Sequence, residues 1–139
     1  MQALLAQSWR QVLDAWPSDG MVKLPVVPLM AVSEITAYDG QGGAHELPLG
    51  QFLTAPDRLL LPSSIEGMPA LRERQGIEID YVAGFGTEPA AVPADIVQAL
   101  LVLVGYWHEH RDAVITAGSG AVVPSGFDLL VANHKRVRL

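Results

Sequence analysis

The chain has no cysteine. Disulfides, thiol catalysis and thiolate metal sites are therefore excluded together. Charge is also scarce. Asp, Glu, Lys and Arg make up 17% of the 139 residues, against roughly 25% in ordinary soluble domains. Half of the residues are hydrophobic, so a sizeable core is possible, and part of the surface is expected to be buried against other chains. Basic charge is in the minority: the formal net charge is −6. That argues against a protein that coats nucleic acid by neutralising phosphates. Long apolar runs are missing too. The most apolar stretch is 99–107, far short of the about 20 residues a membrane span needs. The N-terminal MQALLAQSWRQ lacks the basic segment and the long apolar segment of a secretory leader.

What is present falls into two textures. Residues 8–83 are rich in Pro and Gly and read as short strands joined by turns. SWRQVLDAW is a strand that stops at Pro17, with MQALLAQ before it as a helix end. Pro25 and Pro28 restrict their neighbourhood to an edge strand or an extended connection. In residues 32–38, Val32, Glu34, Thr36 and Tyr38 alternate with Ser33, Ile35 and Ala37. DGQGG supplies a turn, and AHELPLGQFL returns as its hairpin partner. RLLLP is another short strand. Residues 63–76 form a loop with room for one helical turn. IEIDYVA is the clearest strand: Ile77, Ile79, Tyr81 and Ala83 share one face, and Glu78 and Asp80 take the other.

From Pro93 the pattern becomes helical. Proline fits a first helical turn, and Asp95 favours the positive end of the helix dipole. The helix, about 93–112, puts Ile96, Leu100, Leu103, Val104 and Trp107 on one face, but Val97, Leu101 and Val102 make the other faces apolar as well. A surface helix would carry a polar stripe, so this one is expected to be covered from more than one side. Residues 114–126 form a Gly-rich connection. Pro124 then starts a second helix, about 124–136, with Phe127, Leu130 and Val131 on one side and Lys135, Arg136 and Arg138 toward its end. The fold class is α+β: a small antiparallel β-rich module within 1–83, followed by a helical region, 84–139.

Several clusters invite a chemical reading. Gly84-Phe85-Gly86 follows a strand and precedes a helix, the context of a dinucleotide fingerprint. The third glycine is replaced by Pro89, and no Lys-Ser/Thr follows, so the glycines read as a sharp exit from the sheet, a hinge. His108 and His110 are two residues apart, about 200° round a helix, and their imidazoles diverge. Asp112 is the only carboxylate four residues from His108, and a metal would have to gather further ligands such as His45 or His134. Ser119, flanked directly by glycines, lacks the Gly-x-Ser-x-Gly spacing of a nucleophile elbow. The basic end KRVRL suits the negative end of a helix dipole and could also meet phosphates or an acidic partner. No catalytic, cofactor or metal residue is assigned. A small ligand- or metal-binding domain or enzyme using His108, His110 and residues 84–86 stays as the alternative, with a DNA-binding tail as a third.

The order of the features says more than any one of them. Tyr81, Ala83, Gly84, Phe85, Gly86, then Val92-Pro93, an apolar helix closing on Trp107, Glu109 and Arg111, and a last helix with Pro124 and Gly126 resemble head–tail connector proteins. These are the adaptor, or head-completion, proteins of tailed phages and gene transfer agents. The resemblance extends over about residues 7–139, with QSWRQVLDAWP and KLPVVPLMAVSEITAYDGQG similar to the family's β segment. It implies a structural, non-enzymatic protein of the particle neck, made in the host cytoplasm. Such a protein forms a usually twelvefold ring beneath the portal protein, extends the DNA channel and offers a platform for the next neck or tail-completion protein. DNA would pass without sequence-specific contact, and no cofactor or membrane is involved. The implied partner surface comprises Leu100, Leu103, Trp107, Phe127, Leu130, Lys135, Arg136 and Arg138, with the helices, the final one above all, facing the portal and the β module lying outward or contacting the next ring. Relatives carry further helices ahead of the SW strand, where this chain has only MQALLA. The connector-type helical bundle is thus expected to be short of helices, leaving the 93–112 helix more surface for a neighbour.

Overall fold

The computed structural model describes residues 1–110 and 123–134. They form two compact units, Met1–Ala91 and Val92 onward.

The first unit is built on β7, Ile77–Ala83. Its strict alternation puts Ile77, Ile79, Tyr81 and Ala83 into the core, each at most 1% exposed. A strand so buried on one face is best placed centrally, and β7 is paired on both edges. It runs antiparallel to β1, Gln7–Leu13, and to β3, Leu29–Tyr38. β4, Ala44–Glu46, adds to the far side of β3, giving the order β1-β7-β3-β4. A second sheet has the order β2-β6-β5, with β2 at Met21–Lys23, β5 at Leu53–Ala55 and β6 at Arg58–Leu60. Val22 and Leu59 from this sheet join Leu24, Val26, Ile35, Ala37, Leu47 and Phe52 in the same core cluster as the β7 side chains. Covering each such side chain contributes roughly 1.5–3 kcal/mol, so this shared interior holds the unit together.

The structure corrects four sequence-based expectations. MQALLAQ is not a helix end. Gln2 forms a parallel bridge with Val27, and the Ala3 N–H donates to the Val27 carbonyl at 2.9 Å. The main-chain groups of Met1 to Ala6 thus find partners outside a helix. Val32 does not share a face with Glu34, Thr36 and Tyr38. The β3–β7 register shifts between Val32 and Glu34, and the bulge brings Val32 opposite Tyr81, on the side of Ile35 and Ala37. AHELPLGQFL returns as the hairpin partner of β3 only over Ala44–Glu46. After Glu46, Leu47 goes into the core, residues Leu49–Gln51 turn in a 3-10 helix, and the chain enters the second sheet as β5. Pro48, lacking an N–H, cannot continue a ladder. Residues 63–76 contain no helical turn; Leu71 makes a bridge to Asp39 instead. The Asp39 hairpin is as expected: its carboxylate accepts N–H bonds from Gln41 and Gly43 and lies 2.8 Å from the His45 ring.

In the second unit, α1 spans Ala94–Glu109 behind an N-cap at Pro93, with Asp95 in its first turn. After the segment outside the described residues, α2 spans Phe127–Val131 and continues as a 3-10 turn, Ala132–His134. Gly126, at φ +99°, leads into α2.

Candidate interaction surface

α1 fixes what the helical unit presents. Ile96 and Ala99 are buried, and Val102, Leu103 and Tyr106 are half-buried. These positions follow helical spacing and mark one covered side. Val97, Leu101, Val104 and His108 lie on the opposite side, at steps of four, three and four. Leu101 and Val104 are each 61% exposed. Leu100 and Trp107 flank them at the margin and are also exposed. The face expected from the sequence therefore divides. Ile96 and Leu103 turn to the covered side, whereas Val104 points away from it, with Leu100 and Trp107 between. Apolar residues on every face had hidden which side was covered.

α2 behaves similarly. Phe127, Leu130 and Val131 are half-buried, and Leu129 is 79% exposed. Of the partner surface implied earlier, Leu100 and Trp107 are open and Leu103, Phe127 and Leu130 are partly covered; Lys135, Arg136 and Arg138 lie outside the described residues, as does Ser119. Val97, Leu101, Val104 and Leu129 were missing from that set. Only contact geometry could single them out, because the sequence gives them the same hydrophobicity as their neighbours.

A polar clasp ties the end of the described chain to the start of α1. His134 Nε2 lies 2.8 Å from Asp95 Oδ2. The hydrogen bond to His134 is the main cause holding the Asp95 carboxyl below its ordinary range. His110 ends the helix: its backbone N–H and its Nδ1 both lie within 3.0 Å of the Tyr106 carbonyl, and its ring stacks on Tyr106 with centroids 4.3 Å apart. His45 is engaged with Asp39. His45, His110 and His134 thus sit in separate local pairings. No group of three or more His, Asp or Glu side chains is arranged to hold a metal among the described residues.

The Gly84–Gly86 turn is closely packed. The Gly84 N–H donates to the Pro28 carbonyl at 2.9 Å and the Phe85 N–H to the Leu4 carbonyl at 3.2 Å; the Gly86 carbonyl accepts the Ala6 N–H at 2.8 Å. Gly84 has φ +151°, and a Cβ there would come within 2.6 Å of the Leu5 and Ala6 backbone. Two of the three amides a phosphate cradle would use are therefore spent on main-chain carbonyls. Glycine is required because another stretch of backbone lies against it.

Charge is unevenly divided. Residues 1–91 hold five of the nine Lys and Arg and eleven of the fifteen Asp and Glu, and residues 92–139 hold four of each sign. The whole formal charge of −6 thus belongs to the β-rich unit. On the outward face of its larger sheet, Arg10 grips Asp80 through two 2.7 Å bonds and reaches Glu78 at 3.3 Å. Glu78 in turn accepts from the Tyr38 hydroxyl at 3.1 Å.

No protein-family model matches the chain, and no curated protein does. Solved structures do. A chain in the neck of a native gene transfer agent particle, computed with C12 symmetry, superposes with a TM-score of 0.74 at 26% identity, over 99% of this chain and 74% of that one. A chain in the virion of a native gene transfer agent particle gives 0.75 at 26% identity, over 99% and 69%. A chain in the neck of an empty particle, computed with C6 symmetry, gives 0.72 at 27% identity, over 99% and 70%.

Proposed function

We propose that this chain, a gene-transfer-agent neck-type protein by its structural likeness, is an adaptor that forms a ring beneath the portal. The ring would extend the DNA channel and offer a platform for the next neck or tail-completion protein. The observation that carries this reading is the likeness itself: it runs over 99% of the chain and joins it to chains of particle necks with C12 and C6 symmetry. The exposed apolar side of α1 supports it from chemistry, because contiguous apolar surface on a small unit marks an interaction site. Gly84 and Gly86, where the chain leaves β7, serve as the turn from the sheet toward the helical unit. The role is structural: what the surface offers is area and shape for a partner.

The test is attachment. Portal-containing, tail-less particles are incubated with the purified chain and sedimented. An adaptor co-sediments with the particles in a fixed multiple per portal and restores their capacity to join tails. A chain that stays in the supernatant, or that binds particles lacking portal equally well, is not an adaptor.

A further inference from the structure

We infer that the open edge of β1, Gln7–Leu13, is a docking site for an extended strand donated by a different protein.

β1 ends the four-stranded sheet, and its register against β7 runs from Gln7 to Leu13 without a shift. Along the edge of an antiparallel pair, alternate residues turn their N–H and C=O groups away from the partner. Among the described residues no main-chain hydrogen bond reaches that side of β1. Sheet edges are ordinarily kept short, bulged, covered or guarded by charge and proline. The other free edges, those of β2, β4 and β5, are three residues each. β1 has seven residues, no proline and no bulge, and its one charged side chain, Arg10, is drawn back onto Asp80 and Glu78.

A second observation, independent of the edge, lies in the same strand. Among the described residues, the buried side-chain polar atoms without a hydrogen-bond partner are Trp9 Nε1 and Gln11 Oε1. Two residues apart, they belong to one face of β1, where Gln11 Nε2 donates to the Lys23 carbonyl at 3.3 Å. Buried unpaired groups are rare and call for a partner. One is a donor and the other an acceptor, and a single Ser, Thr or Asn side chain answers both. On an added strand such a side chain stands opposite them, within cross-strand reach. Beside them an open groove of about 410 Å³, lined by Met1, Leu4, Leu5, Gln7 and Trp9, receives its apolar neighbour.

These features name the occupant. A row of main-chain donors and acceptors at strand spacing is matched by another strand, and alternate pockets select its side chains. A copy of this chain offers no such strand among its described residues. Its other edges are too short, and β1 against β1 is an isologous contact that closes a pair, whereas a larger ring uses heterologous contacts. That last step rests on the ring reading above; the open edge does not.

The test is amide hydrogen exchange, read by mass spectrometry on the full chain. The probe is a capped peptide, Lys-Thr-Val-Thr-Val-Thr-Val-Lys, N-methylated along one edge so that it pairs through the other alone. The same peptide methylated at every residue is the control. In the free chain the outward amides of residues 7–13 should exchange fast. The probe at millimolar concentration should slow them about ten-fold or more, and the control should not. Trp9→Phe keeps an aromatic ring but removes the donor, and should weaken the probe about five-fold, the loss of one hydrogen bond. Exchange of the β7 amides as in wild type shows that this variant folds.

Because the chain has no native thiol, Ser8→Cys, at an exposed position of the edge, can carry a photo-crosslinker into portal-bearing particles. There it should join to a protein other than this chain. Protected edge amides in the free chain, a probe that slows nothing, an unchanged response in Trp9→Phe, or a cross-link to a second copy would overturn the inference. If the probe docks but the chain does not load onto portal-bearing particles, the adaptor reading fails and the strand site stands. If the chain loads and the probe slows nothing, the strand site fails and the adaptor reading stands.

Discussion

Replacing Gly84 by alanine tests whether the turn after β7 is held by the N-terminal segment. The new methyl would lie 2.6 Å from the Leu5 carbon and oxygen and from the Ala6 nitrogen. All three are backbone atoms and cannot rotate out of the way. Relief requires residues 4–6 to move off the turn, which breaks the Phe85–Leu4 and Ala6–Gly86 hydrogen bonds. Each such bond contributes about 1 kcal/mol net, and holding a non-glycine residue in this region of φ costs of order 1–3 kcal/mol. The sum is a loss of about 3–5 kcal/mol, a large part of the about 5–15 kcal/mol available to a typical domain. Equilibrium urea unfolding, followed by tryptophan emission, reads it directly: Trp9 and Trp16 pack against the core of the same unit. Gly105→Ala is the control. Nothing lies within 4 Å of a Cβ there, and replacing an exposed mid-helix glycine should stabilise by roughly 0.5–1 kcal/mol, seen as a later loss of helical circular dichroism. A Gly84→Ala protein within about 1 kcal/mol of wild type, the range of an ordinary surface change, would refute the close-packing argument.

Other outcomes follow from single contacts. The Tyr81 hydroxyl lies 3.3 Å from the Val26 N–H inside the core, so Tyr81→Phe leaves a buried donor unpaired. It should cost about 1–3 kcal/mol in the same urea assay. Ile79→Ala, at a fully buried position, should cost about 2–5 kcal/mol; a loss below that range would mean that the two sheets close over the gap. Asp39 is held at about 2, against an ordinary 3.8, first by the His45 ring and then by the Gly43 and Gln41 amides. Because the folded value is the lower one, the stability Asp39 contributes is complete above its unfolded value and disappears as pH falls through the folded one. Asp39→Asn should therefore flatten the fall in urea midpoint between pH 5 and about 2. An unchanged slope would show that this carboxylate is not tied in solution.

The parts of the fold legible in the sequence were those where one local signal sufficed. Ile77, Ile79, Tyr81 and Ala83 alternate without interruption, and β7 followed. DGQGG turned the chain as its glycines suggested. Pro93 and Asp95 located the start of α1. What stayed hidden depended on distant partners. Met1 to Ala6 has helical composition, yet the peptide groups around Val27 and Gly86 draw it into an extended path. The bulge in β3 moves Val32 across the sheet, and no residue type announced it. On α1 the difficulty was excess of signal: with apolar residues on all sides, periodicity could not show that Ile96 and Leu103 are covered while Leu101 and Val104 are open. The similarity to connector proteins lay in the order of motifs, and it came through although each motif alone was weak.

The pairing of β1 with β7 also dictates a schedule. Among the described residues, 7–13 pair as a strand with 77–83 alone, so a nascent chain emerging from the ribosome cannot complete its larger sheet until that strand has been made. Contacts this remote along the chain form slowly. The apolar helix is synthesised next, after the last strand of that sheet. Any translational pause that separates these two moments would favour orderly maturation, and a burst that merges them would expose both at once.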